Sequence, residues 1–183
     1  MRTYVFPFAE PEATLRLMFE DEAGFGRISV PAACWAPSGV RPIVPCHHVR
    51  EHEYAYGAVD PIAGDRFFLI MPNSDTACMN IFLRELSAAY PKDYILLVLD
   101  NAAWHKSKSL AIPDNIYLFY LPPRTPEMNP IEQIWKEIRK RGFKNTLFKT
   151  LDAVVDRLCD TCNSLTNECV KSITGRTWIR AMF

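Results

Sequence analysis

The run Ile95-Leu-Leu-Val-Leu99, closed abruptly by Asp100, most narrows what this chain can become. Consecutive aliphatic residues put apolar side chains on both sides of a strand, so both sides must be covered. An α/β sheet with helices on its faces meets that condition, whereas a half-solvated antiparallel sheet does not. Asn115-Ile-Tyr-Leu-Phe-Tyr-Leu121 repeats the pattern and is stopped by Pro122-Pro123. Upstream, residues 14–20 alternate as a strand does and end at Asp21-Glu22. Past Ala23-Gly-Phe-Gly26 a second strand is expected over 27–36, then a turn at Pro37-Ser-Gly39 and extended chain over 40–49. Residues 53–59 and 66–71 flank the turn Asp60-Pro-Ile-Ala-Gly-Asp65 and read as a hairpin. A helix is expected over 75–90, with Met79, Phe82, Leu83 and Leu86 on one face and a cap from Asn73, Ser74 or Asp75. A short helix over 104–111, a helix from Asn129-Pro130 to about Arg141, and one or two helices within 150–173 complete the order. The fold class is therefore α/β, a sheet of mixed direction flanked by helices.

The chain has 183 residues, enough for a sizeable core, and 49% of them are hydrophobic. No apolar run approaches the ~20 residues that span a bilayer, and Met1-Arg-Thr-Tyr-Val-Phe-Pro lacks the sections of a signal peptide. A cytoplasmic protein with no membrane partner is the expectation. The six cysteines then read as free thiols rather than a disulfide framework. Lys plus Arg and Asp plus Glu both number 21, so the formal net charge is zero, which weighs against a non-specific grip on nucleic acid by this chain alone. The cations are uneven, however: Lys136-Glu-Ile-Arg-Lys-Arg-Gly-Phe-Lys144 carries five against one anion. Lys136, Arg139, Lys140 and Lys144 are candidates for contact with phosphates, and a solvated helix face explains them equally well.

Three acids stand where a charge needs explaining. Asp100 directly follows the buried aliphatics, which is costly unless the carboxylate is exposed, hydrogen-bonded or bound to a cation. A turn at Asp100-Asn101, or a cap for the helix after it, is the plainer account. Glu132 lies in Asn129-Pro-Ile-Glu132, which fits a helix start with Asn as N-cap and Glu reaching back to it. A carboxylate so placed can instead aim into a crevice, the helix being anchored by Ile131, Ile134, Trp135 and Ile138. Asp21 is the middle of Glu20-Asp21-Glu22, and strand alternation puts it on the side of Leu17 and Phe19, away from both neighbours. A solvated acidic loop is the alternative there. Asp21 and Asp100 both fall near strand ends, where open α/β sheets hold ligands.

The surrounding motifs separate these readings. Asp100-Asn-Ala-Ala-Trp-His105 resembles the second-aspartate motif of mariner-like DDE transposases in their bacterial insertion-sequence branch. Leu121-Pro-Pro-Arg-Thr-Pro-Glu-Met-Asn-Pro-Ile-Glu-Gln-Ile-Trp135 resembles the family's third-acid motif, and Phe19-Glu-Asp-Glu-Ala-Gly-Phe25 the strand of its first aspartate. Trp35-Ala-Pro-Ser-Gly39 is similar to a Trp…Gly segment that follows that strand. The order is the family's, over roughly residues 14–145, and 31 residues separate Asp100 from Glu132, a few fewer than in many animal members.

The resemblance implies a ribonuclease H-like fold in which Asp21, Asp100 and Glu132 hold two Mg2+ ions, with Mn2+ as a substitute. It implies cleavage at transposon ends by water, then attack of the freed 3′-hydroxyl on target DNA, typically at TA. Such chemistry asks mainly for positioning and charge neutralisation, and two ions about 3.5–4 Å apart serve both the attacking and the leaving oxygen. Asn101 and His105 are implied near the site, with a structural role as the alternative for His105. A homodimer on DNA is a further implication. Residues 1–183 are expected to be one catalytic domain, core about 12–145 and helices about 150–175. The helix-turn-helix region that members carry ahead of it has no room here, which leaves three alternatives: a truncated chain, a split gene with a separately encoded DNA-binding segment, or a domain remnant.

Cys159-x-x-Cys162, Cys169 and Cys46-His47-His48 offer a rival zinc constellation. Leu151, Val155, Leu158, Cys162, Leu165, Cys169 and Ile173 recur at helical spacing, however, and favour a buried stripe. Two other functions remain open: a repurposed relic acting as a binding module, and a different ribonuclease H-like nuclease such as a resolvase.

Overall fold

The computed structural model describes residues 14–180, the side chain of Arg180 excepted. Five strands, β1 (Thr14–Ile28), β2 (His48–Val59), β3 (Arg66–Met71), β4 (Asp93–Leu99) and β5 (Ile116–Tyr120), form one sheet in the order β3-β2-β1-β4-β5. β1 pairs antiparallel with β2 and parallel with β4, so the direction of the sheet changes at β1. Helix α1 (Thr76–Ala89) covers one face; Met79, Phe82, Leu83 and Leu86 pack there on Met18, Tyr56, Ile95, Leu97 and Leu99. α2 (Ile131–Gly142), α3 (Leu151–Asn163) and α4 (Asn167–Thr174) cover the other, closing over Leu17, Phe19, Ala23, Phe25 and Val98. A last turn, α5 (Thr177–Arg180), adds Ile179 to that side. This is the mixed α/β sheet that the two apolar strands require.

Four expectations are corrected. Asp21-Glu22 does not end a strand: β1 runs unbroken through Glu20-Asp21-Glu22 to Ile28, because β2 stays paired with it from Phe19 to Gly26. Gly26 makes no turn; it lets the strands approach so closely that a Cβ there would lie 2.4 Å from the Glu51 carbonyl oxygen. Residues 29–36, expected as part of a strand over 27–36, contain only the isolated bridge of Val30 with Lys144, whereas the expected turn at Pro37-Ser-Gly39 is present, Val40 N donating to Pro37 O at 3.0 Å. A strand-like stretch is not enough where no neighbouring strand supplies a ladder. The segment is pinned through Asn145, whose side chain accepts from Ala32 N at 2.8 Å and donates to Ala32 O at 3.1 Å, while Trp35 stands fully exposed.

The helix expected over 104–111 is a single 3-10 turn over Ala103–Lys106, left by an extended Ser107. Lastly, Asn129 is not the side-chain cap of α2. Pro130 holds that position without a side-chain hydrogen bond, and the Asn129 amide is engaged with β1 instead. The final helices are capped by Thr150 and Thr166, and the break between them resets the apolar stripe to Val154, Leu158, Cys162, Leu165 and Val170. Cys162 is buried in that core, Cys169 half-buried, and Cys46 and Cys159 face solvent. Among the described residues no helix is long and apolar enough to cross a membrane.

Candidate active site

The site begins with strands of unequal length. β4 pairs with β1 only as far as Val98 opposite Phe19, and β4 ends one residue later. β1 continues beyond, so the edge it shared with β4 is open from Glu20 onward. Asn129 takes over part of that edge: its Nδ2 donates to the Glu20 carbonyl at 2.8 Å. The start of α2 is thereby tied to β1 where the ladder stops.

Asp21 lies on this stretch, on the face of Leu17 and Phe19 that alternation indicates. Its cross-strand partner is Gly57, and the missing side chain there gives Trp135 room to lie over β2. A Cβ at Gly57 would stand 2.6 Å from the Trp135 ring. From that position Trp135 Nε1 donates to Asp21 Oδ2 at 2.9 Å. Burial, then the negative charge of Glu132, push the Asp21 carboxyl up to about 7, against the opposing pull of the Trp135 hydrogen bond. A solvated loop acid it is not.

Asp100 emerges where β4 ends, its side chain 56% exposed. Its Oδ1 accepts from Ala102 N at 2.8 Å, so the local turn is real and coexists with an open carboxylate. Glu132 sits in the first turn of α2, where Ile131, Ile134, Trp135 and Ile138 are fully buried and fix the helix. No hydrogen bond from its carboxylate caps the helix, and the positive end of the helix dipole favours an anion there. Asp21, Asp100 and Glu132 line one crevice of about 300 Å³. Its outer wall is Pro122-Pro123-Arg124-Thr125, in which Arg124 takes a left-handed backbone, φ 62°. That is uncommon for a side-chain-bearing residue and concentrates at functional loops.

Asn101 and His105 occupy different positions about this crevice. Asn101 lines it, but its Nδ2 donates to the Leu121 carbonyl and joins the ends of β4 and β5 rather than orienting Asp100. His105 is buried behind Asp100, with Nδ1 3.0 Å from Asp100 Oδ1 and Nε2 3.1 Å from Glu22 Oε1. Burial alone lowers its pKa; the Glu22 hydrogen bond and the charges of Glu22 and Asp100 outweigh that and raise it. Trp104 Nε1 also donates to Glu22 Oε1, at 2.8 Å. Sequence reasoning passes over Glu20, Glu22, Asn129 and the Trp135 indole, and the acidity of Glu20 and Glu22 is the one available signal.

The four cations proposed from sequence share a surface. Lys136, Arg139, Lys140 and Lys144 line a hollow of about 610 Å³ along the outer side of α2. Arg139 also stacks 4.9 Å above the Phe25 ring, and Lys140 pairs with Glu137 at 3.6 Å. A smaller hollow, containing Glu132, Lys136 and Arg176, connects this surface to the acids.

Comparison with known proteins identifies the family and the fold. The family described as DDE superfamily endonuclease matches residues 16–155. The uncharacterized protein y4pE/y4sA of Sinorhizobium fredii is 38% identical over 128 residues, covering 68% of this chain and 95% of that protein. Among solved structures, the Mos1 strand transfer complex superposes with a TM-score of 0.67 at 13% identity, over 90% of this chain and 52% of that one. The Mos1 mariner paired end complex with Mn gives 0.65 at 15% identity, over 87% and 52% of the two chains. The simian T-cell lymphotropic virus intasome, in complex with PP2A regulatory subunit B56 gamma, gives 0.52 at 13% identity, over 84% and 50%. This chain thus spans about half the length of the solved chains it resembles. The sheet order and flanking helices are the ribonuclease H-like fold of those catalytic domains. The chain belongs to the DDE superfamily endonucleases.

Proposed function

We propose that this chain is the catalytic domain of a DNA transposase, cleaving phosphodiesters at transposon ends and joining the 3′-hydroxyl to target DNA, typically at TA. The observation that carries the reading is the convergence of Asp21, Asp100 and Glu132 on one crevice from β1, the end of β4 and the start of α2. The crevice holds carboxylates in excess of cations, and Asp21 is destabilised as an anion by its burial and then by Glu132. Hard oxygen donors with that unbalanced charge fit Mg2+, and Mn2+ as its substitute. When bound, a pair of such ions supplies charge neutralisation at the attacking and leaving oxygens. Asp21, Asp100 and Glu132 are the ligands in this reading.

The chain's own residues do the rest. Trp135 fixes the Asp21 carboxylate, and His105 and the Ala102 amide fix that of Asp100. Arg124, at the crevice wall, carries a cation to the point where a scissile phosphate enters. Lys136, Arg139, Lys140 and Lys144 then form a track for the DNA backbone beside Glu132. With no net positive charge, the chain depends on a further DNA-binding segment for end recognition, and two copies act on a pair of ends.

The test is Mg2+- or Mn2+-dependent nicking by the wild type beside Asp100→Asn and Glu132→Gln, with a DNA-binding segment supplied in cis. Each variant is expected to lose cleavage by roughly 10³-fold or more, the scale of several kcal/mol of lost charge stabilisation. Equal cleavage by all three overturns the assignment; no cleavage by any favours a relic that only binds. A separate measurement checks the track. Lys136→Ala with Lys144→Ala is expected to flatten the dependence of log K on log salt by about 2, near 1 for each phosphate that is no longer neutralised. An unchanged slope removes both lysines from the DNA path.

A further inference from the structure

Glu20 is completely buried, and neither of its carboxylate oxygens has a hydrogen-bond partner. A partnerless carboxylate in a protein interior is unstable unless it gains a proton or a cation. Strand alternation turns it away from Asp21, towards Glu22 and His105, which share its side of β1. His105 Nε2 stands 3.7 Å from Glu20 Oε2 and 3.1 Å from Glu22 Oε1. The other ring nitrogen defines the tautomer. Nδ1 faces two acceptors, Asp100 Oδ1 at 3.0 Å and the Asp100 carbonyl at 3.4 Å, so Nδ1 carries a proton. Nε2 in turn faces two carboxylates, an arrangement of acceptors that calls for something positive at its centre, a proton on the ring or a bound cation.

The geometry points to a binding site for a first-row divalent cation formed by Glu20, Glu22 and His105, separate from the crevice of Asp21, Asp100 and Glu132. The ligand atoms lie within 4.8 Å of one another. Oxygen and nitrogen ligands at about 2.0–2.2 Å from one ion stand roughly 3.0–3.6 Å apart, close to the two separations found here. A carboxylate on the far nitrogen of a metal-binding histidine is the usual means of orienting the ring, and Asp100 supplies it. An imidazole with two carboxylates suits zinc or manganese, whereas Mg2+ prefers oxygen donors and retained water. Trp104 Nε1 holds Glu22 in place, and the Tyr120 hydroxyl, donating to the His105 carbonyl at 2.7 Å, anchors the turn. The site lies on the other side of β1 from Asp21, and its one link to the acidic crevice is His105, through Asp100.

The test counts metal rather than turnover. The chain carrying Asp21→Asn with Glu132→Gln, which disables the crevice, is stripped with a chelator and titrated with Zn2+ against a chromophoric competitor. One equivalent is expected to bind, and adding Glu20→Gln or His105→Gln is expected to weaken it by roughly 100-fold. Co2+ in the same protein is expected to give weak visible absorption that His105→Gln abolishes. Absence of zinc from the double variant overturns the site and assigns the charge balance to a buried proton. Zinc indifferent to both further substitutions, or Co2+ with strong thiolate bands, places the ion on Cys46 or Cys159 and equally overturns it. Should Glu20→Gln fail to fold, the titration of the double variant and of His105→Gln still decides. Loss of cleavage in the crevice variants with zinc retained keeps this site distinct from the catalytic reading.

Discussion

Asp21→Asn is expected to abolish metal-dependent strand cleavage and, at the same time, to make the metal-free protein harder to unfold at pH 8. Asparagine keeps the shape and an oxygen for Trp135 Nε1, so packing is preserved while the charge is lost. Cleavage falls by roughly 10³-fold or more if the carboxylate is a metal ligand. The stability change has the opposite sign, for a reason set by proton linkage. Asp21 titrates near 3.8 unfolded and at about 7 folded, because burial and then Glu132 disfavour its anion. Between those limits the native state holds a proton that the unfolded state has released, so stability falls as pH rises. The contribution is fully present below 3.8 and lost once pH passes about 7, on the order of 4 kcal/mol across the window. Thermal melts in EDTA at pH 5 and pH 8 read this directly. A wild type whose melting point does not fall relative to Asp21→Asn between those values rules it out.

Trp135 carries the second large effect. Trp135→Ala removes a side chain that is 1% exposed and packed against Phe25 and Phe68, and a loss of about 3–5 kcal/mol in chemical denaturation is expected. Trp135→Phe retains most of that packing but has no N–H for Asp21. Since that hydrogen bond holds the Asp21 carboxyl down, its removal is expected to move the alkaline rise of the cleavage profile to higher pH. A Trp135→Phe variant with wild-type stability and an unshifted profile would mean that the indole fills space and does nothing for the acid.

The parts legible in sequence are those set by neighbours along the chain. Ile95 to Leu99 has to be a covered strand, and so Asp100 has to be explained. Ile131, Ile134, Trp135 and Ile138 fix which side of α2 faces inward, leaving Glu132 and the lysines outside the core. Parity along β1 places Asp21 opposite in facing to Glu20 and Glu22. What sequence leaves hidden depends on residues far apart. That β1 continues through its acids is decided by β2, more than 30 positions onward. Asn129 looks like a local cap because its partner, the Glu20 carbonyl, lies 109 residues away. The Trp135 indole and Asp21 are 114 residues apart and meet only because Gly57 has no side chain. Residues 29–36 mislead for the converse reason, since a strand-like stretch finds no partner there beyond the single bridge at Val30.

The early end of β4 has one more consequence. The acidic crevice is a gap in a hydrogen-bond ladder rather than a flaw in side-chain packing, and the gap's width is counted in residues of backbone. Asn129 occupies the rung that β4 leaves vacant, so the opening neither closes on itself nor invites a foreign strand. A β4 longer by two residues would zip along β1 past Glu20, displace Asn129 and carry the start of α2 away with it. The length of one strand thus sets both where the sheet stops and where its chemistry can begin.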